Sequence, residues 1–161
     1  MLVARDLKVL LTHVSTDVFD GSKASPCDET DAPQPLNVYG NSKLAGEYFV
    51  RFILDRFLVL RTSALYGKAP CRAKGGRNFI DLMVELAIER GEVRVVDSER
   101  VIPTSTRELA QRMVVLSGCD SYGLYDATAE GSCSWYELPR RFFSLWHQGK
   151  PEGRSRRRVS R

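Results

Sequence analysis

No G-x-G-x-x-G or G-x-x-G-x-x-G occurs among the twelve glycines of this 161-residue sequence. The turn that lays a pyrophosphate on a helix N-terminus in dinucleotide-binding folds is therefore missing. Histidine is scarce, with only His13 and His147, and the four cysteines (Cys27, Cys71, Cys119, Cys133) form no C-x-x-C. That set is too sparse and too scattered for a zinc site, so no metal is expected and the thiols read as reduced. No apolar run approaches the roughly 20 residues of a membrane span. Arg5, Asp6 and Lys8 interrupt the N-terminal apolar residues that a signal peptide would need. A cytoplasmic protein without a membrane partner is the expectation. Single-signed charge is also lacking over most of the chain. Residues 150–161 hold six Lys or Arg and one Glu, enough to account for the net +4. The body is near neutral, and no aromatic or glycine pattern interleaves the terminal arginines, so nucleic acid is not an expected partner.

What is present is an ordinary globular composition, 43% hydrophobic and 27% charged, in a chain long enough to bury a core. Val9 to Val14 is short, apolar and β-branched, as in a strand buried on both faces of a parallel sheet. It runs into Ser15-Thr16-Asp17. Those side chains either meet a ligand at the carboxyl end of a strand or satisfy the turn's backbone groups. A polar loop from Ser22 to Pro35 follows, and Asn37 then caps a helix expected over Val38 to Phe57. Ala45, Tyr48, Phe49, Phe52 and Ile53 would form its buried stripe. Leu58 to Ser63 reads as a second buried strand, which completes a βαβ unit with parallel strands. After a basic loop, Lys68 to Arg77, come a helix from Phe79 to Arg90 capped by Asn78 and a strand over Val93 to Val96. A helix from Thr106 to Ser117 and a strand over Gly123 to Ala127 follow. Ser134 and Glu137 form a capping box opening a last helix, within which Pro139 is expected to clash or bend the backbone. So abrupt a start on an interior strand suggests a piece of something larger.

Tyr39 and Lys43 stand four apart at the start of the long helix, so a phenol and an ammonium share one face. A fixed cation about 4 Å away, at an effective dielectric near 20, contributes on the order of 4 kcal/mol towards a phenolate. That suits a proton donor. A bare Y-x-x-x-K arises by chance in roughly one chain in five, so the pair depends on its context.

That context is Ser15-Thr16-Asp17 with Val18-Phe19-Asp20-Gly21, then Glu29-Thr30-Asp31 and P-x-x-x-Y-G-x-x-K-x-x-G-E from Pro35 to Glu47. Arg61-Thr62-Ser63 with Tyr66-Gly67, Asn78-Phe79, Pro103-Thr104, Gly123-Leu124-Tyr125 and Ser134-Trp135 follow in turn. In this order and spacing, over about residues 7–146, they resemble the extended short-chain dehydrogenase/reductase superfamily. Within it they resemble the dTDP-4-dehydrorhamnose reductase family. The resemblance implies an α/β fold: the C-terminal half of a Rossmann-type parallel sheet plus a small α/β substrate-binding region, without the N-terminal glycine-rich βαβ. It divides the chain into a catalytic half-domain (1–66), a substrate-binding region (67–146) and a basic, disordered tail (147–161).

The resemblance further implies that Tyr39 protonates the C4 carbonyl oxygen of a dTDP-4-keto-6-deoxy sugar. Lys43 would contact the nicotinamide ribose and Thr16 would hydrogen-bond the carbonyl. Ser15, with Tyr39 and Lys43, would line the cofactor side, for NADPH or NADH. Thr16, Asp17, Ser63, Asn78, Pro103 and Thr104 would line the nucleotide-sugar side. Three departures are specific. Val18 follows Asp17 where the family has a Tyr, Ala64 stands where it often has Trp, and Ser98-Glu99 and Val101 replace its Asp-Gln and Gly. A fragment with weak or no activity by itself is expected, completed by an upstream half or by a homo-oligomer. The competing expectations are a non-catalytic regulatory relative and another nucleotide-sugar epimerase or dehydratase.

Overall fold

The computed structural model describes residues 1–17, 27–69, 75–148 and 158–160. The Val18-to-Gly21 motif, Cys71 and the middle of the basic loop fall outside the described residues. In chain order the elements are α1 (Leu2–Asp6), β1 (Leu11–Thr16), α2 (Val38–Ile53), β2 (Phe57–Thr62), β3 (Leu65–Tyr66) and α3 (Phe79–Arg90). Then come β4 (Glu92–Arg94), β5 (Arg100–Val101), β6 (Thr104–Ser105), α4 (Thr106–Ser117), β7 (Gly123–Asp126), β8 (Cys133–Ser134), α5 (Glu137–Gln148) and β9 (Arg158–Ser160). They form two compact units: residues 1–63 with 107–128, and residues 64–106 with 129–161.

The first unit is built on a parallel three-stranded sheet in the order β1-β2-β7. In the centre, β2 buries Leu58, Val59 and Leu60 completely, as a strand covered on both faces should. The expectation of two-faced burial fails for β1, where Leu11 to Val14 are only half-buried. Among the described residues β1 has a single strand neighbour, β2, and no strand pairs with its other side. Nor does it begin at Val9. Lys8 turns the chain at φ 54, and the Val9 amide bonds back to the Ala4 carbonyl. Val50, Leu54 and Val59 form this unit's core, with Ala4, Leu11, Ile53, Phe57 and Leu124 against it.

Helix α2 is positioned by Asn37, which is extended and accepts the Gly40 amide through its side chain at 2.7 Å. It ends at Ile53, four residues before the expected Phe57, because Leu54 turns extended (φ −119) and Phe57 joins the β2 ladder. The expected buried stripe is overturned. Tyr48, Phe49 and Phe52 are 55, 57 and 93% exposed, while the sheet-facing side carries Glu47, Val50 and Ile53. Two apolar faces competed, and the helix was turned by what the sheet could accept. A Cβ on Gly46 would meet the His13 ring at 2.8 Å, and Glu47 finds a buried partner.

In the second unit, α3 opens on a capping box between Asn78 and Asp81 and closes on Gly91 in the left-handed region (φ 75). Met83, Ala87, Val93 and Phe143 make its core. The Ser134–Glu137 box forms in both directions (2.9 and 3.1 Å). The expected clash at Pro139 does not arise: α5 starts at Glu137, so Pro139 lies in its first turn, where an N–H has no helical acceptor. Beyond residue 146, α5 continues to Gln148, and Arg158–Ser160 pair as β9 with β4.

Candidate active site

The parallel strands β1, β2 and β7 end at Thr16, Thr62 and Asp126, with α2 beginning above them. Ligands in open α/β sheets gather at such carboxyl ends. Tyr39 and Lys43 fall in the first two turns of α2. Tyr39 is 56% exposed, whereas Lys43 reaches inward and donates from Nζ to the Val14 carbonyl oxygen at 2.9 Å. The ammonium lies 6.0 Å from the Tyr39 ring centroid. An open phenol and a cation anchored to the strand beside it make a donor surface facing solvent, with its charge fixed from below.

Beneath this surface is a buried ionic layer. Arg61 donates to both oxygens of Glu47 (3.2 and 2.9 Å), and the Ser15 hydroxyl donates to Oε1 at 2.5 Å. Both charged side chains are at most 4% exposed. Ser15, expected on the cofactor side, is thereby committed to Glu47. The His13 ring bonds the Lys43 backbone; burial first, and then the Lys43 ammonium, lower its basicity. Its Nε2 has no hydrogen-bond partner, and neither does the Thr62 hydroxyl opposite Thr16.

Thr16 is 6% exposed and pairs in register with Thr62. Burial raises the Asp17 carboxyl above its usual range, and a hydrogen bond with Ser63 opposes the shift. Asp126, at the end of β7, is pushed up to about 6, by burial first and then by the neighbouring Glu29 carboxylate. The Asp126 amide donates to Glu29 Oε1 at 2.9 Å, which ties the loop before α2 to the strand end. Thr16, Asp17, Ser63, Tyr39, Lys43 and Ser15 thus belong to the first unit. Asn78, Pro103 and Thr104 belong to the second. There, Asn78 caps α3 and donates to the Gly67 carbonyl (2.9 Å), while the Thr104 hydroxyl donates to Ile102 and accepts from the Ala129 amide.

Sequence reasoning singled out neither Glu47 nor Arg61 as an ion pair, nor Asp126. One signal was available: an arginine inside the apolar run Phe57–Thr62 must find a buried acid. The nearest acid on the facing helix is Glu47, one turn beyond Lys43.

A family model described as RmlD substrate binding domain matches residues 2–158. The chain belongs to this RmlD family. Its relatives include a dTDP-4-keto-6-deoxy-D-glucose reductase of Streptomyces niveus, 41% identical over 145 residues, covering 89% of this chain and 48% of that one. The dTDP-4-dehydrorhamnose reductase of Escherichia coli is 39% identical, covering 83% of this chain and 45% of that one. Among solved structures, dTDP-4-dehydrorhamnose reductase from Bacillus anthracis in complex with NADP superposes with a TM-score of 0.82 at 36% identity. It covers 89% of this chain and 50% of that one. The RmlD-type α/β fold with a parallel sheet therefore holds, and this RmlD chain spans about half the length of these relatives. Among the described residues no helix is long and apolar enough to cross a membrane.

The residues present fit one end of a nicotinamide cofactor. Lys43 and Tyr39 offer an ammonium and a phenol at the strand ends, suited to ribose hydroxyls and a nicotinamide amide. No glycine-rich turn in the sequence fits the pyrophosphate.

Proposed function

We propose that this chain is the proton-donating and sugar-binding portion of an NAD(P)H-dependent nucleotide-sugar 4-ketoreductase acting on a dTDP-4-keto-6-deoxy sugar, the reduction that yields dTDP-rhamnose. The observation that carries the proposal is the exposed Tyr39 phenol beside the strand-anchored Lys43 ammonium, at the carboxyl ends of parallel strands. When bound, the dihydronicotinamide supplies the hydride. Tyr39 donates its proton to the developing C4 alkoxide, a general-acid contribution of roughly 10²–10⁴. Lys43 holds positive charge beneath it and orients the ribose. Thr16 directs its hydroxyl to the carbonyl oxygen, while Asp17 and Ser63 shape the sugar side. For the second unit taken by itself, Asn78, Pro103 and Thr104 are proposed nucleotide-sugar contacts, Asn78 and Thr104 with polar groups already held by the backbone. The free thiols of Cys27, Cys119 and Cys133 suit the reducing cytoplasm.

The test uses the purified 161-residue chain with NADPH or NADH and the dTDP-4-keto-6-deoxy sugar. We expect binding of the nucleotide sugar with negligible reduction, since hydride transfer requires a positioned cofactor. Robust reduction by the chain alone would contradict the assignment of the cofactor cradle to sequence outside it. A second reading, a partner-binding relative without catalysis, is favoured by the exposed Tyr48, Phe49 and Phe52. It predicts saturable protein binding that is unaffected by Tyr39→Phe, and no affinity for the nucleotide sugar.

A further inference from the structure

His13 carries a buried ring nitrogen that the proposed chemistry does not use. It lies two residues before Ser15 on β1, so both side chains project from the same face of the strand, towards α2. There they meet Lys43, Gly46 and Glu47, which at spacings of three and four share one face of the helix. The Ser15 hydroxyl donates to Glu47, and the Val14 carbonyl accepts the Lys43 ammonium at 2.9 Å. The His13 ring bonds the Lys43 backbone, so consecutive residues of β1 hold the lysine at both ends. The same ring fills the space over Gly46, where a Cβ would stand 2.8 Å from Nε2 and 3.0 Å from Cε1. Glycine inside a helix is unfavourable; here it lets the edge of the imidazole reach the helix backbone. Nε2 has no hydrogen-bond partner, so its contact with Gly46 is one of shape. Burial first, and then the Lys43 ammonium, lower the ring's basicity against the opposing Glu47 carboxylate. At neutral pH the ring therefore adds no second cation beside Lys43.

We propose that His13 is the positioning residue of the donor pair: packed against Gly46 and bonded to the Lys43 backbone, it sets the height of the first turns of α2 over β1 and so seats the Lys43 ammonium on the Val14 carbonyl beside Tyr39. The proposal deepens the reductase reading, on which the use of the pair rests; the seating of Lys43 does not depend on it. Glu47 is anchored separately, by Arg61 and Ser15. Loss of the ring thus leaves α2 attached to the sheet one turn further on and frees the turn that carries Lys43.

The test follows the Lys43 ammonium by proton–nitrogen NMR in the 161-residue chain and measures how fast its hydrogens exchange with water. Without the ring the hydrogen bond to Val14 should be lost, so exchange should be roughly tenfold or more faster in His13→Ala than in wild type. The fold should persist, read from unchanged protection of the Leu58, Val59 and Leu60 amides. His13→Gln keeps a side-chain N–H for the Lys43 backbone and should bring exchange back close to the wild-type rate. His13→Leu fills the space without that bond and should not. In the wild-type chain the two ring nitrogens should show one fixed neutral tautomer at neutral pH, a measurement that stands even where His13→Ala does not fold. Unchanged Lys43 exchange in His13→Ala and His13→Leu would overturn the proposal, as would a wild-type ring that averages both tautomers. Restoration by His13→Leu would overturn it too, since packing alone would then suffice. No cofactor or sugar enters these measurements, so their failure leaves the reductase reading standing. Equally, a failed assignment of Tyr39 as proton donor leaves the seating of Lys43 standing.

Discussion

Glu47 and Arg61 show how a charged pair can be obligatory inside a small domain. Each would be costly alone at this burial; Arg61 donates to both Glu47 oxygens, and the Ser15 hydroxyl donates to Glu47 as well. Glu47→Gln leaves the guanidinium facing a neutral amide, and we expect a loss of about 3–5 kcal/mol in urea unfolding. Replacing the pair together by Leu and Met should cost much less than the sum of the single changes. Asp126 makes a prediction of opposite sense. Its carboxyl rises from 3.8 to about 6 in the folded chain, so between these values the native state holds more protons than the unfolded one. Stability should therefore fall as pH rises through this window and level off above it. Asp126→Asn should flatten that slope and be the more stable protein above pH 6, read from thermal midpoints between pH 4 and 7.

Among the elements, α2 is where sequence and structure part most instructively. Its start was legible, because Asn37 before an apolar-periodic run is a cap with a mechanism. The β2 strand was legible as an uninterrupted apolar segment. The buried face was not, because periodicity finds apolar stripes and cannot say which one is covered. The close approach of His13 to Gly46 and the Glu47–Arg61 pair decide that, and both depend on contacts distant in sequence. The helix's inner face should thus be sensitive and its aromatic face tolerant. Gly46→Ala should cost about 1–3 kcal/mol through its contact with His13, and much of that cost should vanish in a His13→Ala background. Phe52→Ser, at 93% exposure, should shift stability by about 0.5 kcal/mol or less. The same reasoning explains Pro139. Counted from the Ser134 cap, Pro139 falls in a second turn; the helical ladder begins at Glu137 and accommodates it in the first.

For the whole molecule, the resemblance in the motifs carried further than any single residue. The Tyr39–Lys43 spacing alone is common, and what sets the pair apart here is its place on α2, beside strands ending at Thr16 and Thr62. The strand-end hydroxyls, the capped helices and the parallel sheet could all be read from the order of the segments. The half-burial of β1 could not, since an edge strand differs from an interior strand in its neighbours rather than in its residues. The chain spans about half the length of its relatives and its sequence holds no glycine-rich turn, which is why the function proposed above assigns to these residues a proton donor and not a pyrophosphate cradle.

The most direct measurement is steady-state NADPH oxidation by the chain fused to the part of the Escherichia coli relative that lies outside its match, with a dTDP-4-keto-6-deoxy sugar, compared with its Tyr39→Phe variant. The account predicts sugar-dependent oxidation that falls roughly 100-fold or more in kcat in the variant, with KM little changed. Equal turnover by the two proteins would contradict the assignment of Tyr39 as the proton donor.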